Sequence, residues 1–243
     1  MQIDIEKFNK WFNFVFFEAS RFVEEDTAKF KIKDRRADHF FASEAKHKMD
    51  TTTSVIFMSK LFNQADELFQ GYSDNQVAFT LRYILEYEYF DGIAKLNNKK
   101  VPWPMQQVCF KSILNIYKSI FQVRCAHELS GGEHKSTYRL NILCYLFWDQ
   151  AYGLAFIRKS LTNFLLGQRK TTPEFDREIL LLFKNILTIP HEACQESALH
   201  GLAQYHMKCP QAVSSIIHEF LEANTAIPEQ LRNYALSAQE GKT

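Results

Sequence analysis

The side chains best suited to chemistry fall into a few groups, and each chemistry demands its own spacing. Between Lys29 and Lys48, seven cations (Lys29, Lys31, Lys33, Arg35, Arg36, Lys46 and Lys48) stand against Asp34, Asp38 and Glu44, with Phe30, Phe40 and Phe41 among them. Cations interleaved with aromatic rings suit a surface that holds phosphates and stacks bases. The same mixture also describes a solvated face whose phenylalanines turn inward. Glu44 and His47 form one ExxH pair. A di-iron carboxylate bundle needs a second pair and two further Glu residues, which Glu18, Glu25 and Glu88 do not complete. His127-Glu128 and Glu133-His134 flank Ser130-Gly131-Gly132. A zinc-protease helix requires two His four apart on one face, whereas these two straddle a helix break. His191 and His200 point to opposite sides of a helix at 100° per residue. His206 with Cys209 supplies two ligands where a closed metal site takes four. The spacings therefore predict no metal site and no cofactor.

Asp149 stands apart, because it lies in Leu146-Phe147-Trp148-Asp149-Gln150-Ala151 among large apolar groups. A carboxylate buried there needs a partner or a raised pKa. Arg124 and His127, on the preceding helical segment, are the expected partners, since a short connection makes consecutive helices antiparallel neighbours. Arg124, His127 and Asp149 form the candidate catalytic set, set against the alternative of a buried ion pair between helices. The sequence holds no glycine-rich phosphate loop and no GxSxG turn.

Helices must position these residues. Gly (8) and Pro (6) are scarce among 243 residues, which argues against sandwiches, barrels and doubly wound sheets, all of which need frequent turns. Phe8, Trp11, Phe12, Val15, Ala19, Phe22 and Val23 recur at helical spacing. Phe14, Phe16 and Phe17 widen that apolar face and leave room for a homodimer seam. Thr51 to Thr53 offer N-caps for a helix that Gly71 ends, and Asp74 offers one for the next. A helix is predicted from Pro104 to about Leu129, and another from about Thr137 to Leu166. Four shorter helices follow, near 173–188, 191–207, 210–224 and 228–239. No run of about 20 apolar residues is present to span a membrane. The five cysteines are scattered singly, without a CxxC, as in a reduced cytoplasmic protein.

The C-terminal quarter matches itself at an offset of 37 residues: Glu192 with Glu229, Ala198 with Ala235, Leu199 with Leu236, Gly201 with Ala238. On these residues HEACQESALHGLAQY resembles the second helix of a HEAT repeat, and QLRNYALSAQEG resembles a second copy. The resemblance covers about residues 173–241. It implies an all-α fold in which a right-handed HEAT-like superhelix at 169–243 packs on the longer helices of 1–168. The function expected from it is a non-enzymatic protein-interaction module with an unidentified protein partner. Nucleic-acid binding or DNA-base processing through the Lys29–Lys48 cluster is the alternative, and a small-molecule enzyme around Asp149 is the third. The net charge of +1 divides into +4 over 29–48 and −3 elsewhere. Near-neutrality thus excludes only a chain that is basic throughout.

Overall fold

The computed structural model describes residues 3–24, 49–85, 95–96, 98–131, 137–149 and 173–242, and only the backbone of 17–24. The fold is all-helical, with no strand among the described residues. The helices are α1 (Ile5–Glu24), α2 (Thr51–Asn63), α3 (Ala65–Leu68), α4 (Asp74–Leu85), α5 (Trp103–Ile116), α6 (Gln122–Arg124), α7 (Arg139–Leu146), α8 (Pro173–Leu187), α9 (Glu192–Tyr205), α10 (Pro210–Ala223) and α11 (Glu229–Gln239). A π-helical stretch, Tyr117–Phe121, joins α5 to α6. No described helix is long and apolar enough to cross a membrane.

The helices stack in two rows. In one row α2 packs on α5, α5 on α8 and α8 on α10. In the other, α1 packs on α4, α4 on α7, α7 on α9 and α9 on α11. Contacts of α8 with α9, and of α10 with α11, tie the rows together. The C-terminal helices therefore extend the packing of the N-terminal ones. Between the rows runs an aromatic core in which Phe8 meets Phe57 edge-on at 5.4 Å, Tyr117 meets Phe147 at 5.4 Å, and Trp148 meets Phe183 at 4.8 Å. Such edge-to-face pairs add about 0.5–1.5 kcal/mol each beyond their buried area.

Local chemistry corrects several sequence-predicted ends. Asp50, not Thr51 to Thr53, caps α2, accepting the Thr53 N–H at 2.9 Å. Ser73, rather than Asp74, caps α4: its hydroxyl accepts from Gln76 N–H while Gln76 Oε1 accepts from Ser73 N–H. This reciprocal pair satisfies two otherwise orphaned donors. Gly71 lies beyond α3 at φ +81°, the left-handed conformation expected of it. The helix begun at Trp103 stops at Arg124 rather than Leu129, and Cys125 is extended. The predicted Thr137–Leu166 helix is α-helical only over Arg139–Leu146 within the described residues. Beyond Leu146 the chain turns tightly, with Asp149 N–H donating to Leu146 C=O at 2.9 Å. Phe147 and Trp148, consecutive in that turn, are both fully buried.

Candidate functional site

Helix α9 is enclosed on nearly every side by α7, α8, α10, α11 and the π-helical stretch. Its polar residues are enclosed with it: Gln195, Glu196, Ser197 and His200 are all buried. Buried polar groups must find partners or cost several kcal/mol, roughly 2–7 each. Ser197 Oγ lies 2.8 Å from Tyr117 Oη and donates to the Cys144 carbonyl. Gln195 Nε2 donates to Leu187 C=O at 3.3 Å.

Glu192, Glu196 and His200 follow at i, i+4 and i+8 and so share one face of α9. At the centre of that face Glu196 accepts the backbone N–H of Ser130 at 2.7 Å and that of Gly131 at 2.9 Å, one on each carboxylate oxygen. Burial raises its carboxyl above the ordinary value, with the two N–H groups opposing. Further along, Gln204 Nε2 donates to His200 Nε2 at 2.8 Å. His200 Nδ1 then carries the proton and donates to Tyr234 Oη at 3.0 Å, and Tyr234 donates to Tyr145 Oη at 3.4 Å. Burial lowers the His200 pKa to about 4, with the Asp149 charge opposing. Burial likewise raises Tyr145 and Tyr234. At neutral pH the chain from Gln204 to Tyr145 is thus one of uncharged donors and acceptors.

The start of α9 carries a second cluster. His127 Nδ1 contacts Glu192 Oε2 in a short ion-pair geometry. The His127 ring stacks on the His191 ring at 4.1 Å between centroids and 27° between planes. His191 is 2% exposed, and its Nε2 lies 3.1 Å from the Cys125 carbonyl, while its Nδ1 has no partner. One ligand-type atom from each of His127, His191 and Glu192 lies within 4.8 Å of the others. This cluster and the Glu196–His200 face hold His191 and His200 apart, as their helical angle requires. Its members come from segments 65 residues apart, so spacing within a single segment gave no sign of it. The signal that was available was the 192/196/200 stripe.

The candidate catalytic set does not draw its bonds from one another. Arg124 donates to Asp74 at 2.7 Å and to the Tyr72 carbonyl at 2.5 Å, pinning the end of α6 to the turn that precedes α4. His127 belongs to the Glu192 cluster. Asp149 is half-buried past the end of α7, and its charge acts on His200 and Tyr145. The basic cluster of Lys29, Lys31, Lys33, Arg35, Arg36, Lys46 and Lys48 lies outside the described residues. No protein-family model matches the chain, and neither does any curated protein or solved structure.

Proposed function

We propose that this chain is a non-enzymatic protein-interaction module whose two helix rows are those of a right-handed HEAT-like superhelix. One observation carries the reading: a cleft of about 310 Å³ between α4 and α7, lined by Phe79, Ile142, Leu143 and Leu146 together with Arg82 and Arg139. Ile142 is 37% exposed at this cleft, and the neighbouring Tyr138 is 59% exposed. The Arg139 guanidinium rests over the Phe79 ring at 5.1 Å. An apolar floor of this kind suits the apolar face of an amphipathic partner helix. The enzymatic alternative around Asp149 is weakened by the ties of its expected partners, Arg124 to Asp74 and His127 to Glu192.

Selection from a random peptide-display library against the full chain tests the reading. Enriched peptides are expected to be amphipathic, with one apolar helical face. Ile142→Lys or Arg139→Glu should weaken them by about tenfold or more, the scale of an interface anchor. Failure to enrich such peptides, or indifference to both substitutions, would end this reading. A salt-sensitive mobility shift with duplex DNA would instead favour the Lys29–Lys48 alternative.

A further inference from the structure

The cluster at the start of α9 lies outside the cleft, and its chemistry points elsewhere. His191 is almost wholly buried, yet only one of its two ring nitrogens is hydrogen-bonded. The bonded nitrogen, Nε2, faces the Cys125 carbonyl, which can only accept, so Nε2 carries the proton. Nδ1 is left with a bare lone pair in a buried place, a costly arrangement that calls for a reason. A histidine that donates one ring N–H to a backbone carbonyl while presenting the other nitrogen is the usual arrangement of a metal-ligating imidazole, the carbonyl fixing its tautomer and orientation. His127 and Glu192 bring a second imidazole and a carboxylate beside it.

We propose that His127, His191 and Glu192 bind a divalent transition-metal ion, with zinc the ion their donors suit best. Two imidazoles and one carboxylate form a borderline-soft set that fits zinc better than calcium or magnesium, which take oxygen ligands. Bonds of about 2.0–2.2 Å to a tetrahedral ion set donors roughly 3.5 Å from one another, so an ion within this group replaces the direct His127 Nδ1–Glu192 Oε2 contact. The adjustment falls on His127, whose side chain is 65% exposed and exchanges its Glu192 contact for the ion. The framework behind it is already fixed. Asn141 holds Ala126 by both its N–H and its C=O, each at 2.9 Å, and Glu196 holds Ser130 and Gly131. The Glu192 carboxylate offsets the positive end of the α9 dipole, which would otherwise disfavour a cation there. Three protein ligands leave a fourth position for water. The ion fastens the 125–131 connection to the start of α9.

The test uses the full chain, stripped with chelator and titrated with zinc chloride by calorimetry. One zinc per chain is expected, with a rise in Tm, and cobalt(II) in its place should give the visible absorption of a tetrahedral site. His127→Ala and Glu192→Gln, both outside the core, should each weaken zinc at least about tenfold, since loss of even an outer-shell partner costs about 10–100-fold. His218→Ala, on the exposed face of α10, should bind as the parent chain does. Absence of saturable one-to-one uptake overturns the proposal. So does uptake that His127→Ala and Glu192→Gln leave unchanged while circular dichroism shows them folded.

Discussion

His200 illustrates how enclosure, rather than any reactive neighbour, sets the protonation of a side chain. Its folded pKa of about 4 lies below the ordinary 6.5. In that interval the unfolded chain binds a proton that the folded chain refuses, so stability rises with pH. The contribution is complete above pH 6.5 and is lost as pH falls through 4. It amounts to roughly 3 kcal/mol at neutrality. His191, also lowered by burial, acts in the same sense. Glu196 acts in the opposite one: its raised carboxyl adds stability below about pH 4.5 that disappears as pH climbs through the folded value. Urea unfolding of the parent chain between pH 7 and 4 is therefore expected to show falling stability, and His200→Gln should flatten that fall. An unchanged slope would show that His200 takes up its proton as readily in the native state as in the unfolded one. None of this was legible in the sequence, where HEACQESALHGLAQY resembles the second helix of a HEAT repeat without marking which of its polar residues are enclosed. Burial of α9 by helices from both rows is a tertiary fact, and it converts ordinary Glu and His residues into a hydrogen-bonded interior.

Among the elements, helix ends decide more than helix middles. Pro173 and Pro210 open α8 and α10 at the positions the sequence marks, because a proline at the first turn loses no helical hydrogen bond. The long apolar segment at 139–149 carried no such punctuation, so its α-helical part was overestimated. The π-helical stretch was likewise hidden, though it brings Tyr117, Ile120 and Phe121 into the core. It ends with Gln122 N–H donating to the Tyr117 carbonyl, five residues back. Just beyond it, Arg124 joins three ends at once. It reaches Asp74 in the first turn of α4, the Tyr72 carbonyl before it, and the Phe69 carbonyl after α3 at 3.5 Å. A guanidinium serves several acceptors in one plane, which an ammonium cannot copy. Arg124→Lys is expected to cost about 1–2 kcal/mol in urea unfolding, close to the value of one charge-assisted bond. A loss within about 0.3 kcal/mol would mean that the clamp is a surface ornament of the kind exposed ion pairs often are.

Over the whole molecule, the two-row stack makes stability a matter of neighbours. Among the described residues each helix buries its face chiefly against the helices before and after it in its row, and α8 to α11 also pack on their companions across the gap. In the superhelix proposed above, such neighbours approach a one-dimensional chain of coupled units. The all-α character was readable from scarce Gly and Pro and from helical apolar spacing. The extension of the rows through α1 and α2 was not, because the unequal N-terminal helices carry no sequence period. A perturbation at one end should then spread weakly to the other. Leu231 in α11 is fully buried, and Leu231→Ala should remove about 2–5 kcal/mol of local packing. Hydrogen exchange is expected to speed up in α10 and α11 and, less, in α9, while the amides of α2 keep the parent rate. If α2 and α5 quicken as much as α11, the molecule opens as one cooperative body and the rows do not behave as separable units. The choice matters for the interaction reading, since a cleft between α4 and α7 that is insulated from α11 can bind a partner without loosening the C-terminal helices.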